Sequence, residues 1–131
     1  MSDRKVIRVR DIMKSNFTIV DGLITVQEAL QDCRDDRVSV LVVRKRHDDD
    51  EYGLVLLSDI AKQVVAKDRS PERVNVYEIM SKPVLSVKPE MDVRYCARLF
   101  DNFGLSVAPV IDGDEVVGII SYNEIVLDGL L

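Results

Sequence analysis

The sequence predicts an α+β fold in which one β-α-β-β-α unit occurs twice, the two copies packed with pseudo-two-fold symmetry into one module. Three observations predict it. The chain repeats itself: Val9-Arg10-Asp11-Ile12-Met13 returns as Val76-Tyr77-Glu78-Ile79-Met80, and the offset of 67 residues holds without a gap through Val20 and Val87, Val26 and Val93, Ser39 and Ser106, and Val43 and Val110. A fixed internal period marks a duplicated structural unit. Each copy then carries apolar residues at spacings of three and four, followed by a run of β-branched residues. Finally, a unit of about 60 residues rarely buries enough surface to be stable alone, so two copies with apolar faces are expected to pack together. The repeats are placed at residues 6–66 and 76–130, with 67–75 as the linker. Lys67-Asp68-Arg69-Ser70-Pro71-Glu72-Arg73 is polar and contains proline, as a linker should.

The elements follow in order within each copy. A short extended piece comes first, Phe17 to Val20 or Val84 to Val87. A helix follows. In copy one, Thr25-Val26-Gln27-Glu28 is a capping box, and Val26, Ala29, Leu30 and Cys33 share one face. In copy two, Asp92 is the N-cap, and Val93, Cys96, Ala97 and Phe100 form the stripe. A strand rich in β-branched residues comes next, Val38 to Val43 or Leu105 to Ile111. Copy two then turns tightly at Asp112-Gly113, whereas copy one has a longer charged loop, Arg44 to Tyr52. Beyond the turn the offset falls to 65 residues, so that Gly53-Leu54-Val55 matches Gly118-Ile119-Ile120 and Asp59-Ile60 matches Glu124-Ile125. The last element is a short helix, from Ser58-Asp59 through Val65 or from Asn123-Glu124 onward.

Composition narrows the function classes. Of 131 residues, 47% are hydrophobic and 31% charged, which excludes a disordered tail, and only 6 Gly and 4 Pro exclude a collagen-like chain. Apolar runs such as Val38–Val43 are far short of the roughly 20 residues of a membrane span. No apolar leader follows Met1-Ser2-Asp3-Arg4-Lys5, so a cytoplasmic protein is expected. The formal charge of -5, without a dense basic cluster, makes general nucleic-acid binding a poor expectation. Cys33 and Cys96 lie on apolar stripes and read as packed thiols. A single His47 leaves no basis for a zinc site or a Ser-His-Asp set. Asp48-Asp49-Asp50-Glu51 lacks the spacing of a calcium loop and reads as a solvated turn, and no metal is expected. No dinucleotide fingerprint is present and no catalytic pair stands out, so no enzyme is expected.

Three motifs carry a family resemblance over residues 6–130. They are the openings Asp11-Ile12-Met13-Lys14 and Glu78-Ile79-Met80-Ser81, the latter running on into Lys82-Pro83-Val84; the strand Gly104-Leu105-Ser106-Val107-Ala108-Pro109-Val110-Ile111-Asp112; and the junction Gly118-Ile119-Ile120-Ser121-Tyr122-Asn123-Glu124. In this order, twice over, the chain resembles a tandem pair of CBS domains, named after cystathionine β-synthase and often called a Bateman module. The resemblance implies a stand-alone regulatory module that binds AMP, ADP, ATP or S-adenosylmethionine between its repeats, forms a homodimer and signals to a partner protein. The alternative is a ligand-independent interaction module with degenerate clefts.

The family's ribose and phosphate signature is Gly-apolar-apolar-Thr/Ser-x-x-Asp. A carboxylate at a helix start can accept both ribose hydroxyls, and a hydroxyl with helix N–H groups suits a phosphate. Copy one keeps Asp59 but has Leu56 in place of the hydroxyl; copy two keeps Ser121 but has Glu124 in place of Asp; and copy one has Val42 where copy two has Pro109. By resemblance, the favoured cleft combines Asp59 and Ser58 with Lys82, Pro83, Val84, Leu105, Ser106 and Val107. The second combines Glu124 and Ser121 with Asn16, Phe17, Thr18, Val38, Ser39 and Val40. The residues alone also allow a plain reading, in which Asp59 and Glu124 cap helices and Ser39 and Ser106 bond to neighbouring backbone.

Overall fold

The computed structural model describes residues 5–83 and 85–130. In chain order the elements are α1 (Val9–Ile12), β1 (Phe17–Val20), α2 (Val26–Asp36), β2 (Val40–Val43), β3 (Gly53–Leu56), α3 (Leu57–Ile60), α4 (Val93–Phe103), β4 (Val107–Asp112), β5 (Glu115–Ser121) and α5 (Tyr122–Leu130). A π-helical stretch, Ala61–Val65, continues α3, and 3₁₀ turns occupy Pro71–Arg73 and Val76–Glu78. The chain is thus α+β, with two small sheets flanked by helices. It divides into two compact units, Asn16–Pro83 and the described residues among 1–15 and 84–131.

In the unit Asn16–Pro83, β1 runs parallel to β2 and β2 antiparallel to β3. Helix α2 is capped as its sequence requires, the Thr25 hydroxyl accepting the Glu28 N–H at 3.1 Å. Its stripe of Val26, Ala29 and Cys33 is buried against Val20, Leu41, Val43 and Val55. The same core takes in Val74, Val76 and Ile79, residues from the junction and from the start of the second repeat. Their backbone is tied there: the Val26 N–H donates to the Val74 carbonyl and the Val76 N–H to the Ile24 carbonyl. The residues that pack together are therefore not the residues that repeat together.

The other unit mirrors this exchange. Helix α4, capped by Asp92 through the Arg94 N–H at 2.8 Å, buries Val93, Cys96 and Phe100. Val9 and Ile12 of α1 fill the same core, and the Val9 N–H donates to the Met91 carbonyl while the Val93 N–H donates to the Ile7 carbonyl. Strands β4 and β5 pair antiparallel, with a bulge between Val110 and Ile111. The tight turn is present, with Gly113 at φ 65°, and the loop residues between the paired Asp112 and Glu115 are Gly113 and Asp114.

The extended piece of copy two differs from the expectation. Val84 lies outside the described residues, and Val87 makes a single parallel bridge to Val110 instead of a ladder like β1. Proline explains it. Val87 donates to the Pro109 carbonyl and accepts from the Ile111 N–H. The next rung toward Leu85 needs an N–H at position 109, which proline lacks. Copy one has Val42 there, and β1 forms in full.

Candidate functional site

Strand register gathers eight of the expected site residues at one end of the first sheet and five at one end of the second. In the unit Asn16–Pro83, Phe17 pairs with Val40 and Val40 with Leu56. The first residues of β1 and β2 thus lie beside the point where β3 enters α3. The Leu57 N–H donates to the Ser39 carbonyl at 3.4 Å, and Asp59 sits within the first turn beyond it. Phe17 and Thr18 are partly buried, Val38 and Val40 buried, Asn16 and Ser39 exposed, and Ser58 exposed beside a half-buried Asp59. In the other unit Val107 pairs with Ser121, so Leu105, Ser106 and Val107 reach the start of α5, where Glu124 lies. Ser106 is exposed, and Leu105 and Val107 are partly buried.

The two carboxylates differ by one local donor. Glu124 Oε1 accepts both the Ser121 N–H and the Ser121 hydroxyl at 2.8 Å, the carboxylate half of a capping box. Asp59 Oδ2 accepts the Leu56 N–H at 2.8 Å. Its Oδ1 receives no hydrogen bond among the described residues. Glu124 Oε2 likewise receives none, so each carboxylate presents one oxygen as an acceptor for a ligand donor, and the copies differ in that Leu56 brings no hydroxyl to Asp59.

Lys82 and Pro83 follow the second opening. Pro83 is partly buried. The Lys82 ammonium donates to Asp50 Oδ1 at 2.9 Å and to the Glu51 carbonyl. Asp50 also accepts the Arg46 N–H at 2.8 Å. The Arg46 N–H first, and then Lys82, hold the Asp50 carboxyl well below the usual carboxylate range. The acidic turn is therefore an anchor for Lys82. Among the described residues no cluster of His, Cys, Asp or Glu is arranged to hold a metal ion.

A pair of contacts went unread in the sequence. A Cβ built on Gly118 meets Met13 Sδ at 2.6 Å, and one built on Gly53 meets Met80 Sδ at 2.7 Å. The backbone makes the same approach: Lys14 and Ile119 exchange two N–H···O bonds at 2.8 Å, and Ser81 and Leu54 exchange another two. The methionine of each opening motif therefore lies on the glycine of the strand-to-helix motif. The recurrence of Met and Gly at matched positions in both copies was the available signal.

Comparison with known proteins places the fold. Residues 9–66 and 76–127 each match the CBS domain model. The chain belongs to the CBS-domain family. A hexameric CBS-CP12 protein from bloom-forming cyanobacteria is 38% identical, with a TM-score of 0.86, over 95% of this CBS pair and 68% of that chain. A homoserine O-acetyltransferase of Methanosalsum zhilinae is 34% identical over 91% of this chain, which spans only 23% of that protein's length. Two further structures share the fold. The CBS pair of protein MJ0100, in complex with 5′-methylthioadenosine and S-adenosyl-L-methionine, is 24% identical with a TM-score of 0.76 over 97% of this chain and 100% of that one. A CBS-domain protein of Pyrobaculum aerophilum, complexed with AMP, is 20% identical with a TM-score of 0.76 over 92% of each chain. Among the described residues no helix is long and apolar enough to cross a membrane.

Proposed function

We propose that this CBS pair is a cytoplasmic regulatory module that binds an adenosine-containing ligand, AMP, ADP, ATP or S-adenosylmethionine, and passes the binding event to a partner protein without catalysing a reaction. The observation that carries this reading is Asp59, at a helix start, with one carboxylate oxygen held by the Leu56 N–H and the other open to a donor. A carboxylate fixed in this way is preorganised for the vicinal hydroxyls of a ribose. Family relatives complexed with AMP and with S-adenosylmethionine support the ligand class. The favoured cleft joins Asp59 and Ser58 to Lys82, Pro83, Val84, Leu105, Ser106 and Val107. Lys82 is tethered to Asp50 and Leu56 supplies no hydroxyl, so the contribution of a phosphate to affinity is small. Ligand occupancy regulates only if it binds two arrangements of the module unequally.

A second reading has its own support. Glu124 Oε1 takes both the Ser121 N–H and the Ser121 hydroxyl, so the serine hydroxyl is already engaged locally, which favours a ligand-independent cleft on that side, with Asn16, Phe17, Thr18, Val38, Ser39 and Val40 serving structure. In either reading a homodimer is expected, and the exposed Val126, Leu127 and Leu130 of α5 supply apolar surface for it. Leu131 lies outside the described residues.

Isothermal titration with AMP, ADP, ATP and S-adenosylmethionine tests the proposal. Saturable binding of at least one, weakened about tenfold or more in Asp59→Ala by loss of a charge-assisted hydrogen bond, is the expected result. Silence from all four ligands, with the chain folded, leaves the interaction-module reading in its place.

A further inference from the structure

A cavity of about 590 Å³ opens at the other end of the copy-one strands from Asp59, where β1 and β2 finish. One wall is apolar, made by Leu23, Val43, Tyr77 and Met80; the rim carries Arg44 and Lys45. The shape depends on Gly22. A Cβ there would lie 3.2 Å from Tyr77 Cβ and 3.3 Å from Val43 Cγ1, and the Tyr77 N–H is bonded to the Gly22 carbonyl at 3.0 Å. Tyr77 is held against the strand ends by its backbone, yet 48% of it is exposed.

The charges on the rim sort themselves by pairing. Arg46 is matched by Asp50 at 3.6 Å. Asp21, the carboxylate in the lining, accepts the Leu23 N–H at 2.8 Å. The Lys45 ammonium lies over the Tyr52 ring at 5.1 Å. The Arg44 guanidinium has no ion pair or hydrogen bond among the described residues, although its own N–H is anchored to the Val20 carbonyl at 2.9 Å. An unpaired guanidinium at the mouth of an apolar hollow has the chemistry for a phosphate or carboxylate.

The duplication supplies an internal control. The matching position in copy two is a smaller cavity, about 370 Å³, with Ile111, Asp112 and Gly113 where copy one has Arg44, Lys45 and Arg46. The copy-two cavity is lined by Lys88, Glu90 and Asp112 and has no basic residue at the three positions of Arg44, Lys45 and Arg46, so the fold itself does not demand the basic set.

We infer that the copy-one cavity is a separate ligand site for a small phosphorylated molecule bearing an aromatic or apolar group, the phosphate on Arg44 and Lys45 and the apolar part against Tyr77 and Met80. The site shares no residue with the adenosine cleft and does not rest on that reading.

Amide chemical-shift mapping on the full chain, with phenyl phosphate and inorganic phosphate as probes, tests the assignment. Phenyl phosphate is expected to give saturable shifts at Leu23, Arg44 and Tyr77, with inorganic phosphate binding more weakly. Arg44→Glu should weaken phenyl phosphate by about tenfold or more, while Asp59→Ala leaves it unchanged. Arg44 is exposed, so an unaltered pattern of core amides verifies that the variant folds. Absence of shifts at these residues, equal binding by Arg44→Glu, or loss in Asp59→Ala instead would overturn the site; equal affinity for both anions would overturn the aromatic requirement.

Discussion

Asp11, Asp59, Glu78 and Glu124 do the same local work, each accepting the backbone N–H three residues before it. Chemistry separates them only in what else each oxygen meets. Glu78 has both oxygens engaged, Oε2 by the Asn75 N–H and Oε1 by Arg69 at 3.1 Å, whereas Asp11, Asp59 and Glu124 each keep one oxygen that meets no donor among the described residues; Glu124 differs from Asp59 only in the serine hydroxyl that adds to its occupied oxygen. At the same scale, burial pushes the Cys96 thiol up to about 11 from 9.0. The sign follows from proton uptake. Between these values the unfolded chain has lost the thiol proton and the folded chain retains it. The stability this group contributes is therefore fully present below about 9 and falls as pH rises toward about 11. Cys96 is also inaccessible, at 0% exposure. Native chain at pH 8 should alkylate at Cys96 far more slowly than urea-unfolded chain; equal rates, read by mass spectrometry, would contradict its burial.

At the scale of the element, small differences between the copies have definite causes. Helix α4 ends at Gly104 with φ 65°, and α2 ends at the matching Arg37 with φ 56°. Glycine occupies this conformation without a Cβ penalty, whereas arginine does not. Arg37→Gly should stabilise the chain by about 0.5 kcal/mol, the relief of αL strain less the added unfolded-state entropy of glycine. A lower midpoint in chemical denaturation would refute that balance. The Met–Gly contacts differ in tolerance as well. A Cβ on Gly118 meets the Sδ, Cγ and Cβ of Met13 at 2.6, 2.9 and 3.1 Å, while one on Gly53 lies under 3.0 Å only from Met80 Sδ. Gly118→Ala should cost about 1–3 kcal/mol and more than Gly53→Ala. Met13→Ala in the Gly118→Ala background should recover part of that loss in a double-mutant cycle; purely additive costs would deny the contact.

The whole molecule is organised by exchanged openings. Val9 and Ile12 open copy one in sequence yet complete the core of α4, β4 and β5, while Val74, Val76 and Ile79, from the linker and the opening of copy two, complete the core of α2, β2 and β3. Val9 is fully buried, so Val9→Ala should cost about 2 kcal/mol. Hydrogen exchange should show lost protection in Val93–Phe103 before Val26–Asp36. Loss in α2 first would mean that the opening segment supports its own repeat after all.

The duplication, the helix stripes, the caps at Thr25 and Asp92 and the β-branched strands were legible in the sequence, because each depends on periodicities and spacings of a few residues. So was the family, through motifs recurring in order. Which core each opening segment completes was decided only by the tertiary structure: copies with similar apolar patterns offer nearly equivalent partners, and local sequence does not choose between self-packing and exchange. The missing ladder before Pro109, the methionine lying on each glycine, and the unpaired Arg44 beside Tyr77 are likewise products of close approach between segments distant along the chain. Hydrophobic pattern determined what would be buried; backbone hydrogen bonding and steric fit decided against what.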